Sequence, residues 1–115
     1  MSKTINKKGC KIVALKEELA DYEIEDVLKT DSTLVVYFYE IGSYGGSGFL
    51  VGKKKDGGWW YSELGHCSCY GATETLISDS KVVHEYEKVK EVVFAHYSDD
   101  SRKVLAYIEN KKYND

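Results

Sequence analysis

Thr33-Leu34-Val35-Val36-Tyr37-Phe38-Tyr39-Glu40-Ile41 decides the fold. The run is β-branched and aromatic throughout, the composition that favours a pleated strand over a helix. It is apolar at odd and even positions alike, so both of its faces need covering, and that places it centrally in a sheet. Gly42-Ser43-Tyr44-Gly45-Gly46-Ser47-Gly48 follows as a loop, and Phe49-Leu50-Val51-Gly52-Lys53 returns as a second strand. Asp56-Gly57 reads as a type I′ turn into a third strand over residues 59–64. Three antiparallel strands in a meander, with a fourth possible, are therefore expected, and Cys10-Lys11-Ile12-Val13-Ala14-Leu15 either opens a short strand or enters the helix that follows.

Outward from this meander the pattern turns helical. Residues 1–9 read as a mobile basic leader. Leu15, Leu19, Tyr22, Val27 and Leu28 form a loose helical stripe over residues 15–28, which a break near residues 22–26 would split in two. Val82, Val83, Tyr86, Val89, Val92, Val93 and His96 recur at helical spacing over residues 81–97, with Asp79 or Ser80 as the cap. Asp99-Asp100-Ser101 opens a last helix with Val104, Leu105 and Ile108 inward, and residues 110–115 read as a frayed tail. The expected architecture is one α+β domain over residues 1–115, an antiparallel meander with flanking helices.

Composition narrows the function. The 115 residues carry sixteen basic and nineteen acidic side chains, a net charge of −3. No long basic stripe runs through the chain, which argues against direct nucleic-acid binding. A mimic of DNA would need a far larger negative excess. No apolar run approaches the roughly 18 residues of a membrane helix, and the polar N-terminus lacks the apolar centre of a secretion signal. The chain reads as cytoplasmic, where an odd count of three cysteines fits thiols or metal ligands better than disulfides. Ten tyrosines exceed the needs of a core this small, and exposed tyrosine favours contact with a protein partner.

Gly65-His66-Cys67-Ser68-Cys69-Tyr70-Gly71 is the densest chemistry in the sequence. In an extended backbone Cys67 and Cys69 share a face, and two thiolates can hold one zinc ion, although this spacing is tighter than the usual knuckle. Cys10 and His84 would complete a structural Cys₃His set, or His66 would replace His84 if the chain turns at Ser68. The plain alternative is that the cysteines are small buried apolar side chains. A catalytic Cys67 would need a base and an orienting group, and the adjacent His66 side chain diverges from it. The glycine loop lacks the Gly-Lys-Ser/Thr ending of a phosphate-binding loop, and a plain hairpin with Tyr44 at its tip is the simpler reading. Glu17, Glu18, Asp21, Glu23, Glu25 and Asp26 stand together with no base among them. A solvated helix face is the ordinary explanation; an acidic patch that meets a basic protein groove is the functional one.

The Gly-x-Gly entry to the second strand, Trp60-Tyr61 and the His-Cys-Ser-Cys-Tyr-Gly motif together resemble small accessory proteins of phages and prophages. The likeness covers residues 33–72. Within that group the chain is similar to the zinc-binding anti-CRISPR proteins of streptococcal phages that act on Cas9. The resemblance implies a non-enzymatic inhibitor that binds a Cas9-type effector and interferes with target-DNA engagement, with Cys67, Cys69 and His66 in a metal role. The basic nucleic-acid channel of such an effector would suit the acids of residues 17–26, with Tyr44 as a second contact. A different class is a protein that sequesters a nucleotide signal between Tyr44, Trp59 and Trp60, and a third is a cysteine-dependent hydrolase.

Overall fold

The computed structural model describes residues 3–42, 45–66, 75–96 and 99–113, with the side chains of 41, 42, 45, 46, 65, 66, 96 and 100 left aside. Five strands, β1 (Lys3–Lys7), β2 (Cys10–Ala14), β3 (Ser32–Gly42), β4 (Gly45–Lys54) and β5 (Trp59–His66), form one mixed sheet in that spatial order. The expected meander is β3–β4–β5, antiparallel throughout. β2 lies parallel to β3 and antiparallel to β1. The fold is α+β as expected, with five strands instead of three or four.

β3 occupies the centre because its side chains serve two cores. Val35, Tyr37 and Tyr39 enter one cluster, and Leu34, Val36 and Phe38 enter the other. Helices α1 (Asp21–Leu28) and α2 (Leu76–Asp79) cover the first face through Ile24, Val27 and Leu76. Helices α3 (Tyr86–His96) and α4 (Asp99–Asn110) cover the second through Val89, Val93, Val104, Leu105 and Ile108. The consecutive Trp59 and Trp60 fall on opposite faces, and both are buried.

Several local expectations are corrected. The basic leader is β1, joined to β2 by a two-residue turn in which Lys8 and Gly9 are both left-handed, with φ of 51° and 81°. That is the type I′ signature. The Asp56-Gly57 turn is not of that type, since only Gly57 has positive φ (97°) and its N–H donates to the Lys54 carbonyl at 2.9 Å. No helix spans residues 15–20, because β3 takes the backbone there: the N–H groups of Leu15 and Glu17 donate to the carbonyls of Tyr37 and Tyr39. The helix then begins at Asp21, where the Glu23 carboxylate accepts the Ala20 N–H at 2.9 Å. Tyr22 points outward rather than into the stripe, with 69% of its surface exposed.

Helix α3 starts later than expected, since His84 exchanges backbone hydrogen bonds with Trp59 and leaves Val82 and Val83 exposed. Asp79 and Ser80 close α2 instead of capping α3. Residues 110–113 are not frayed. Tyr113 N–H donates to Ile108 and Lys112 N–H to Glu109, with Lys112 at φ 59°, which is a Schellman termination. No helix among the described residues is long and apolar enough to cross a membrane.

Candidate functional site

The register brings the end of β5, the flanks of Tyr44 and the start of the acidic segment to one end of the sheet. Gly42 pairs with Gly45, so the hairpin that carries Tyr44 closes there. His66 pairs with Gly46, so β5 finishes at the same level, immediately before Cys67. Glu17 bonds to the Tyr39 carbonyl, and Tyr39 pairs with Gly48, which pairs with Leu64. The start of the acidic segment therefore lies beside that end too. Tyr44, Cys67 and Cys69 themselves lie outside the described residues.

Cys10 and His84 do not belong to this end, nor to each other. Cys10 precedes Lys11, and the chain of partners Lys11, Leu34, Lys53, Trp59 and His84 crosses four strand spacings. At about 4.8 Å each that is roughly 19 Å. Cys10 is buried in the α1 face, whereas the His84 ring stacks on Tyr61, which packs on the α3/α4 face. Two ligands of one zinc ion must each approach it to about 2.0–2.3 Å. The Cys₃His set with Cys10 and His84 is thus excluded by the sheet itself. His66 and His84 stand at opposite ends of β5, seven residues and about 23 Å apart. Burial pushes the Cys10 thiol up to about 11, in keeping with its packing in the α1 face. Among the described residues no three His, Cys, Asp or Glu side chains converge as a metal site. Of the other predicted ligands, His66 ends β5, and Cys67 and Cys69 lie outside the described residues.

The acidic segment is less bare than its sequence suggests. Lys3 and Lys7 reach over from β1 to Glu18 and Glu25, at 3.2 and 3.3 Å. Lys29 stands 4.0 Å from Asp26. Glu23 is buried and spent on the Ala20 N–H, so it is corrected from a partner contact to a structural cap. Its charge also helps to hold the Tyr39 hydroxyl above the usual tyrosine range, after burial as the larger cause. Asp21 and Tyr22 project to solvent at the start of α1. Below them a cavity of about 60 Å³ is floored by Ile5, Ile12, Leu19 and Ile24 and rimmed by Lys3 and Glu18. The Tyr37 hydroxyl closes its inner side by accepting the Leu19 N–H at 3.0 Å.

The buried tryptophans remove the stacking walls that a nucleotide sponge would need: Trp59 is 4% exposed and Trp60 fully enclosed. The exposed apolar side chains that sequence reasoning did not single out are Phe94 on α3 and, on the layer where α2 packs against α1, Ile77. The Ile77 helix is four residues long and carries no sequence signal. Comparison with protein-family models, curated proteins and solved structures finds no match to this chain.

Proposed function

We propose that the chain is a non-enzymatic, cytoplasmic binding protein that inhibits a Cas9-type effector by docking on its protein surface. The observation that carries this reading is the convergence at one end of the sheet: the start of the acidic segment at Glu17, the flanks of Tyr44 and the entry to the cysteine cluster meet there. Tyr22 supports it as an exposed aromatic anchor beside Asp21 and Glu25. An aromatic residue amid carboxylates suits a basic groove, where charge speeds encounter and the ring supplies contact area. Zinc held by Cys67, Cys69 and His66 would fasten the segment after β5 at this end and leave the working surface to α1 and the β3–β4 hairpin.

The test is DNA cleavage by a purified Cas9-type nuclease titrated with the protein, in parallel with co-elution of the two. Inhibition that weakens as salt rises is expected. Undiminished cleavage at saturating protein, with no co-elution, sinks the reading.

A further inference from the structure

The Leu34 end of the sheet carries a group of lysines and tyrosines. Lys11 Nζ lies 5.3 Å from the centre of the Tyr113 ring and 3.5 Å from its hydroxyl oxygen. Tyr113 packs against Tyr107 with ring centres 6.2 Å apart, and Lys111 Nζ sits 5.8 Å from the Tyr107 ring. Lys11, Tyr113, Tyr107 and Lys111 thus form one continuous surface strip, built from β2 and the end of α4. Lys112 stands between Lys111 and Tyr113 in the chain and Lys8 on the turn that leads into β2, both exposed. None of these four lysines has a carboxylate partner among the described residues. Glu109, on the same helix, is engaged by Tyr86 and Lys90.

A second observation comes from the backbone. The described residues include three non-glycine positions with positive φ, and two of them are Lys8 and Lys112. An L-residue in that region costs about 1–2 kcal/mol, and glycine or asparagine is the ordinary occupant of such turns. Both turns that adjoin the strip in sequence thus carry a lysine at a position where glycine or asparagine is ordinary. Strain of this kind is a pointer to function.

We infer that this strip binds single-stranded nucleic acid, its lysines meeting phosphates and its half-exposed tyrosine rings meeting bases. The alternation of cation and aromatic ring is what such a strand requires: charge along the backbone and a flat face for each base. The absence of a basic run in the sequence does not weigh against it, because the fold assembles the strip from residues about a hundred positions apart. Lys11 lies at the Leu34 end of β3, whereas Glu17 lies beside Tyr39 towards the other, so one molecule could hold a protein by one pole and a nucleic-acid strand by the other.

The experiment is fluorescence anisotropy of a labelled oligothymidylate with the full chain. Four phosphate contacts predict a loss of about 50-fold in affinity between about 50 and 200 mM salt. The double substitution Lys11→Glu with Lys111→Glu should weaken binding by about tenfold or more. Tyr107→Leu, which keeps an apolar side chain but removes the ring, should cost about fivefold. Lys88→Glu on α3 should leave binding within about twofold, and circular dichroism confirms that each variant is folded. No binding at the lowest salt, or equal binding by the double variant, overturns the proposal. So does displacement by polyglutamate as effective as by unlabelled oligonucleotide, since that would mean charge attraction without base contact.

Discussion

The Trp60 indole occupies the space where Gly52 would carry a side chain: a Cβ built on Gly52 would stand 2.3 Å from Trp60 Nε1. The two residues are register partners on β4 and β5. The ring is thereby laid flat on the sheet, and its N–H donates to Ser32 Oγ at 2.9 Å. Gly52→Ala must push a rigid, fully buried ring out of place. Overpacking of this kind costs about 1–3 kcal/mol, and a urea melt should show a lower midpoint with little change in slope. A midpoint equal to wild type would mean that the indole has room to move.

Ser32 is the hinge of a buried polar chain in which Thr30 Oγ bonds both Ser32 Oγ at 2.9 Å and the Val27 carbonyl. Ser32→Ala leaves the Trp60 N–H without its acceptor inside the core. The expected loss is about 1–3 kcal/mol, the desolvation cost of one orphaned donor. Ser32→Thr, which retains an oxygen, should recover part of it, and comparison of the two melts separates the lost bond from the altered packing.

How far this was legible in the sequence depends on which residues carry the pattern. β3 announced itself because a strand buried on both faces must be apolar at every position. β1 did not, since an edge strand exposed almost throughout, Lys-Thr-Ile-Asn-Lys, has no buried face to impose alternation. The parallel pairing of β2 with β3 is a long-range choice that no local period encodes, and it also withdrew residues 15–17 from the helix their spacing suggested. At the site, the acids were visible but their partners were not. Lys3 and Lys7 belong to β1, and only the fold brings them over Glu18 and Glu25. Cys10 and His84 looked eligible as ligands by chemistry, and the sheet register alone separates them.

That separation makes a metal prediction. If zinc is bound through His66, Cys67 and Cys69, then Cys10→Ser and His84→Ala should each keep the wild-type zinc content by elemental analysis. Cys67→Ser and Cys69→Ser should lose most of it and melt at lower temperature, because metal affinity and folding are coupled. A chelator should lower the melting temperature of wild type and leave Cys67→Ser unchanged. Loss of zinc in Cys10→Ser would contradict the geometry described for β2.

Cys10 has its own signature in pH. Burial raises its thiol from 9.0 to about 11, so the folded state keeps the proton where the unfolded chain releases it. The contribution is fully present below about pH 9 and is lost as pH climbs towards about 11. Tyr37, Tyr39 and Tyr86 are raised in the same direction by burial and push the same way at still higher pH. Urea midpoints should therefore fall above pH 9, and Cys10→Ala should flatten the first part of that decline. An identical slope in the variant would assign the decline to the tyrosines alone.

The proposed docking face can be probed without disturbing the fold, because Tyr22 contributes little to the core at 69% exposure. Tyr22→Ala should shift stability by no more than about 0.5 kcal/mol. If Tyr22 is the anchor, the same change should weaken effector binding by about 2 kcal/mol, roughly thirtyfold. Asp21→Lys should slow association and reduce its salt dependence while leaving dissociation nearly unchanged. Binding kinetics that ignore both substitutions would move the contact away from α1.

Lys112 sets stability against the inferred nucleic-acid contact within one residue. It holds the left-handed position of the Schellman turn, with φ of 59°, where glycine carries no steric penalty. Lys112→Gly should therefore stabilise the chain by about 1 kcal/mol, seen as a rise in melting temperature of a few degrees. Lys112→Asn, also tolerant of this geometry, should gain somewhat less. Both substitutions remove one cation from the strip beside Tyr113, so both should weaken the oligothymidylate contact and lower its salt slope by about 0.7. A residue kept only for the turn would show the gain in stability with no change in binding. One kept for the strip shows both, and the opposite signs of the two effects distinguish the cases.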